Sequence, residues 1–381
     1  MPDTFVPFAN PHAAYIQRER KIMEAVSQVF DSGQYILGQE VEKFEQSFAS
    51  WLCVRHAVGC ANGTDALELT LRALGAGAGK AVFTVSHTAV ATVAAIERAG
   101  AVPVLVDIDP RTYTMNQASL EEAIRHIQKS PLGLAPSVII PVHLYGHPCD
   151  MDAILALAEQ HGCMVIEDCA QAHGARYKGN MAGSLGRAAA FSFYPTKNLG
   201  TLGDGGAAAT DDAAMAAEMI ALRQYGWKER YISAVPGINS RLDPVQAAIL
   251  SIQLEHLDID NAARKRIAAI YNKELSGCGL TLPVAAPWAE HVFHLYVALC
   301  PERPAFMDFL KAKDIGTAVH YPEPIHLQPA YRDRILLAPD GLPVTESIRD
   351  KLISLPMFPQ LEEQDVARVC EAVRDWTRAG G

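Results

Sequence analysis

"MDAILALAEQHGCMVIEDCA", residues 151–170, joins a helical pattern to a strand. The first part, MDAILALAEQHG (151–162), has helical spacing. The second, MVIEDCA (164–170), is a short apolar run that ends on two carboxylates, Glu167 and Asp168. The alternation extends in both directions. AVFTVS (81–86), VPVLVDID (102–109), SVIIPVHLYG (137–146), AAAFSF (188–193) and GAAAT (206–210) read as further strands with helical patterns between them. Apolar runs of this length, bounded by helices, predict an α/β domain with a mostly parallel sheet covered on both faces. Ligands gather at the carboxyl ends of such strands, so the residues just after each run are the first to inspect.

Downstream the pattern changes. RLDPVQAAILSIQLEHL (241–257) opens a long helix, with Asp243 placed to cap and Pro244 at the first helical position. NAARKRIAAIYNKEL (261–275) reads as a helix, HVFHLYVAL (291–299) as a strand and MDFLKAKDIGTAVHYP (307–322) as helix and strand. The expected division is a large α/β domain over 1–255, whose N-terminal segment can pack on its neighbour, and a smaller α+β domain over 256–381.

The 381 residues are 49% hydrophobic and 20% charged, enough for a large core and unlike a disordered chain. A net charge of -10 without a basic, aromatic-interleaved block gives no sign of nucleic-acid binding. The N-terminal stretch MPDTFVPFANPHAAYIQRERK lacks the parts of a signal peptide, and no apolar run reaches the roughly 18–20 residues of a membrane span. Eight scattered cysteines without C-x-x-C pairs fit reduced, mostly buried thiols, so a cytoplasmic protein without a metal site is expected.

Three segments carry chemistry. In CANGTDALELTLRALGAGAGK (60–80), Gly63 and Thr64 stand where a helix begins, and such a terminus can hold a phosphate; a simple N-cap is the alternative. Gly79-Lys80 is not a P-loop, because the glycine spacing is wrong and Ala81 replaces the required Ser or Thr. Asp168, partly desolvated at its strand end, needs a cationic partner, although an Asp there could equally cap a helix or pair with an arginine. FSFYPTKNLGTLGDGGA (191–207) sets Lys197 between aromatics and glycines. Alone it could be a solvated loop lysine. A phosphate site, a buried carboxylate and a sheltered lysine together suggest pyridoxal 5'-phosphate, with Lys197 condensing with its aldehyde and Asp168 keeping its pyridine nitrogen protonated.

The set of motifs NGTDAL, SHTAVAT, HLYGHPCDMDAI, IEDCAQAHGA, FSFYPTKNLGTLGDGGA, INSRLDPVQAAIL and HYPEPIHLQPAY resembles the DegT/DnrJ/EryC1/StrS family of nucleotide-sugar aminotransferases over nearly the whole chain. The resemblance implies the type I aminotransferase fold and a homodimer with shared active sites. It implies that Lys197 and Asp168 are catalytic, that Gln171 contacts the ring hydroxyl, and that Gly63, Thr64 and Ser192 hold the phosphate with Asn239 of a second subunit. Tyr194, His320, Tyr321 and His326 are candidates for the sugar and nucleotide site; structural packing is the alternative for the two histidines. LRQYGWKERY (222–231) could cover a partner's pocket or form an ordinary dimer contact. Where relatives often carry an aromatic residue over the cofactor ring this chain has Ala89, and His87 is the candidate to replace it.

The implied reaction is transfer of an amino group from L-glutamate to a nucleotide-linked keto-6-deoxy sugar, at C3 by likeness around Lys197, for amino-sugar biosynthesis. Alternatives are amination of a 4-keto sugar and a cofactor-binding regulatory protein without turnover. Members with histidine in place of the lysine are dehydratases, which Lys197 argues against. A Rossmann dehydrogenase is disfavoured because no G-x-G-x-x-G follows a first strand.

Overall fold

The computed structural model describes residues 5–380; residues 1–4 and 381, which close the ends of the expected domains and begin the N-terminal stretch, lie outside it. Eight strands form the large sheet in the order His56–Cys60, Gly206–Thr210, Ala188–Ser192, Met164–Asp168, Ala135–Ile139, Lys80–Val85, Val102–Val106 and Leu336–Leu337. Gly206–Thr210 runs antiparallel to both neighbours, and the remaining pairs are parallel.

Period-two alternation divides the strand residues between the two faces. Val82, Val138, Ile166 and Ala208 pack on one side with Leu67, Leu71, Ile96 and Met219. Phe83, Ile139 and Val165 pack on the other with Leu120, Ile124 and Ile154 of the helices Gln117–Lys129 and Met151–His161.

Of the predicted run 137–146 only residues 137–139 are strand. The strand ends at Ile139, two residues before Pro141, which has no N–H for a ladder. The chain then turns through Leu144–Gly146 as a short 3₁₀ helix. Likewise, of 291–299 only Tyr296–Leu299 is strand, paired antiparallel with Leu352–Leu355.

The helix Pro244–Glu274 is unbroken, so the expected junction at 255/256 falls inside it. Its first half places Ala247, Leu250 and Leu257 against Phe44 and Phe48, and its second half places Ile267, Ala268 and Tyr271 in a separate core with Tyr296, Phe306 and Val369. Pro244 holds the first helical position, but the Asp243 side chain makes no capping bond, contrary to expectation. Val6 joins the second core and bonds to Asp314 and Gly316. Leu336–Leu337, from the expected small domain, completes the edge of the large sheet. Among the described residues no helix is long and apolar enough to cross a membrane.

Candidate active site

The two carboxylates that end Met164–Asp168 point to different fates. Glu167 is completely buried and its oxygens are saturated: Oε2 is bonded to His143 Nε2 at 2.9 Å and accepts from the Gly183 N–H at 2.8 Å, and Oε1 accepts from the N–H groups of Leu185 and Gly186, both at 2.7 Å. Cys169 lies with His143 and Glu167 at metal-ligand spacing. Those four bonds occupy the carboxylate, and His143 Nδ1 accepts from the Cys149 N–H at 3.0 Å, so the group is a structural anchor.

Asp168, one residue on, faces a cavity of about 320 Å³. Its Oδ2 accepts from the Thr92 hydroxyl at 2.8 Å and its Oδ1 from the Ala170 N–H at 3.1 Å. Burial raises its pKa, and these two bonds and the Lys197 charge oppose the rise. No arginine pairs with it among the described residues.

Lys197 lines the same cavity from the loop that follows Ala188–Ser192, where its N–H donates to Tyr194 O at 2.8 Å. The side chain is half-buried. Burial of the amine lowers its pKa to about 8, with Asp168 pulling the other way. The neutral amine that a nucleophile requires is therefore more populated near physiological pH than in an ordinary lysine.

The helix Gly63–Ala73 brings its N-terminus to the cavity. The Asn62 side chain caps at the Asp65 N–H (2.9 Å), so the N–H groups of Gly63 and Thr64 stand ahead of the capped one. A Cβ on Gly63 would lie 2.7 Å from Ser192 Cβ, and one on Gly206 would lie 2.4 Å from Asn62 O. These absent side chains let the two strand ends and the helix start converge. Helix-start donors, the Thr64 and Ser192 hydroxyls, Asp168 and an amine of lowered pKa form one donor set that fits pyridoxal phosphate.

The structure thus brings together Gly63, Thr64, Asp168, Gln171, Ser192, Tyr194 and Lys197 around the cavity. Gln171 is held at both ends of its amide: Oε1 accepts from the Tyr145 N–H at 2.7 Å and Nε2 donates to Tyr321 Oη at 2.9 Å. Tyr321, whose pKa burial pushes up to about 12, is thereby tied to the cavity wall. Tyr194 is 53% exposed, so its ring is free to meet a ligand. His320 bonds Ser354 Oγ through Nδ1 at 2.9 Å, and burial together with Lys197 lowers its pKa to about 4.

Neither His320 nor Tyr321 is itself part of the cavity lining, and two further candidates stand outside it too. His326 is buried between Ser86 Oγ (2.7 Å) and Glu346 (3.2 Å), outside the cavity lining. Asn239 is exposed and bridges to Gln224, also outside the lining of its own chain's cavity. Ala89 does line the cavity, but His87 does not cover it: the imidazole is buried, bonded to Tyr145 Oη at 2.7 Å, and burial lowers its pKa to about 4. Thr92, which lines the cavity and bonds to Asp168, is a side chain that sequence reasoning missed. A buried hydroxyl in the first turn of Ala91–Arg98, among the apolar residues that precede Glu97, is the signal that could have found it.

Residues 17–374 match the family model described as the DegT/DnrJ/EryC1/StrS aminotransferase family. The dTDP-3-amino-3,4,6-trideoxy-alpha-D-glucose transaminase of Streptomyces venezuelae is 44% identical, over 97% of this chain and 96% of its own. The crystal structure of S. venezuelae DesV superposes with a TM-score of 0.93 at 44% identity, covering 98% of both chains. NtdA of Bacillus subtilis, solved with bound cofactor PMP, gives a TM-score of 0.89 at 28% identity, covering 99% of this chain and 86% of that one. The chain belongs to the DegT/DnrJ/EryC1/StrS aminotransferase family, with an α/β aminotransferase fold and pyridoxal 5'-phosphate as its cofactor.

Proposed function

We propose that this enzyme transfers the amino group of L-glutamate to C3 of a nucleotide-linked 3-keto-6-deoxyhexose, with dTDP as the expected nucleotide, in amino-sugar biosynthesis. The observation that carries the reading is the pairing of a half-buried Lys197 amine of lowered pKa with a buried, hydrogen-bonded Asp168 in one cavity. The likeness to the S. venezuelae transaminase supports the sugar class and the C3 position.

Pyridoxal phosphate supplies an electron sink for the carbon that loses or gains a proton. Lys197 anchors it and then carries that proton, as general base in one half-reaction and general acid in the other. Asp168 keeps a proton on the pyridine nitrogen, and Thr92 and Ala170 fix the carboxylate's orientation. Gly63, Thr64 and Ser192 hold the phosphate. Tyr194, His320 and Tyr321 bind and orient the sugar nucleotide.

The working unit in this reading is a cytoplasmic homodimer in which Asn239 completes the partner's phosphate site. Its support is the exposure of Asn239 away from its own cavity, beside a turn that exposes Tyr225, Tyr231 and Ile232, together with eight free thiols.

The test is the visible spectrum of the purified protein, first alone and then with L-glutamate. A cofactor band that glutamate converts supports an aminotransferase; a band that ignores glutamate favours another donor or the regulatory alternative. A panel of nucleotide-linked 3-keto and 4-keto sugars, with products read by NMR, decides C3 against C4.

A further inference from the structure

Asp168 closes one strand at the head of the loop that follows it, and Lys197 stands on the loop that follows the neighbouring parallel strand. One residue of the long helix touches both loops. The Nδ2 of Asn261 donates to the backbone carbonyl of His173, on the turn that begins at Asp168, at 2.9 Å. Its Oδ1 accepts from Nδ2 of Asn198, the residue next to Lys197, at 2.7 Å. Asn198 Nδ2 also reaches Val292 O at 3.3 Å, and Asn198 Oδ1 is bonded to His294 Nδ1 at 3.1 Å.

The orientation of every group in this chain is determined. Both ends are backbone carbonyls, which only accept, so the amides of Asn261 and Asn198 must present their nitrogens there. That leaves Asn198 Oδ1 as an acceptor, so His294 carries a proton on Nδ1. Asn261 and His294 are each 5% exposed, and burial holds the His294 pKa well below its ordinary value, which keeps a second positive charge away from Lys197. Gly174 is part of the device. Its φ is +85°, and a Cβ there would lie 2.5 Å from Asn261 Nδ2, so only glycine admits the Asn261 amide to the His173 carbonyl.

We propose that Asn261 is a positioning residue that holds the Lys197 loop and the Asp168 loop in fixed register and ties both to the segment 292–294. The proposal rests on Lys197 and Asp168 acting as described above. A misplacement of about 1 Å between reacting groups costs on the order of 100-fold in rate, so a clamp of this kind bears directly on turnover.

The experiment compares wild type with Asn261→Ala and Asn261→Ser. The pH dependence of reductive methylation of Lys197 is read by peptide mass spectrometry on protein freed of cofactor, so the readout needs no turnover. If the clamp acts as proposed, the Lys197 half-labelling pH of both variants moves up from the wild-type value towards that of an ordinary lysine. In the loaded enzyme kcat falls roughly 10–100-fold with the KM for glutamate within about two-fold. Asn198→Ala should give the same labelling shift, and the Asn198→Ala/Asn261→Ala double variant no more than either single one. An unchanged half-labelling pH in a variant whose circular dichroism matches wild type overturns the proposal; should the alanine variant fail to fold, the serine variant, which keeps a polar group, decides it. Failure of the wild-type spectrum to respond to glutamate would instead overturn the functional reading and leave the clamp to the labelling result.

Discussion

Thr92 Oγ1 donates to Asp168 Oδ2 at 2.8 Å, so a helix on one side of the cavity fixes a carboxylate delivered by a strand on the other. This bond lowers the Asp168 pKa against the rise that burial imposes. Thr92→Val removes it while nearly preserving shape. Hydrogen bonds to charged groups contribute about 1.5–3 kcal/mol, which predicts a kcat/KM roughly 10–100-fold lower. The acidic limb of the pH–rate profile should move to higher pH, and Thr92→Ser should restore most of the loss.

Lys197→Ala is expected to abolish turnover. Cofactor should still bind to the variant but leave on dialysis, because the covalent anchor is gone. Retained turnover, measured with glutamate and a keto-sugar, would sink the assignment of Lys197.

The same lysine makes a stability prediction. Its folded pKa, about 8, lies below the 10.5 of an unfolded lysine, so between these values the unfolded chain binds more protons. The cost of burying the charge is full below pH 8 and is relieved as pH rises to 10.5. In cofactor-free protein, wild type should therefore gain stability relative to Lys197→Met across that window, as followed by urea unfolding.

Glu167 and Asp168 are adjacent yet should respond oppositely to amide substitution. Glu167→Gln places an NH₂ among four groups that all donate to the present carboxylate, and should cost about 3–5 kcal/mol of unfolding free energy. Asp168→Asn should leave stability within about 1 kcal/mol and remove most activity. Urea melts and steady-state rates on both variants separate the two roles.

Gly63→Ala drives a methyl against Ser192 and should weaken cofactor binding by about 1–3 kcal/mol, the usual cost of overpacking. Fluorescence titration of the cofactor measures it.

The α/β core was legible because buried parallel strands are apolar throughout and their helices keep an independent period, and Gly206–Thr210 matches its predicted bounds. Where backbone chemistry intervened the reading overshot, as at Pro141. Asp168 was visible at the end of its strand and Lys197 in the segment after one, and the structure places both in one cavity. His87 was misjudged because a one-residue shift beside Thr88 decides whether a side chain faces the cavity or the core. Thr92 escaped because its partner lies 76 positions away, a pairing that no local period reports. The junction at 255/256 was drawn where the pattern of predicted elements changes, along a helix that leads out of the large domain, and Pro244–Glu274 carries one helical backbone through two cores.

Leu336–Leu337 pairs with Val104 and Leu105, so the edge of a sheet begun at residue 56 is finished by chain made more than 200 positions later. During synthesis Val102–Val106 must wait as an open strand edge, a template for pairing with other chains. Nascent protein is therefore most prone to aggregate before residue 337 emerges from the ribosome, and truncation just short of that point should yield insoluble product even though the residues of the cavity lining have all been made.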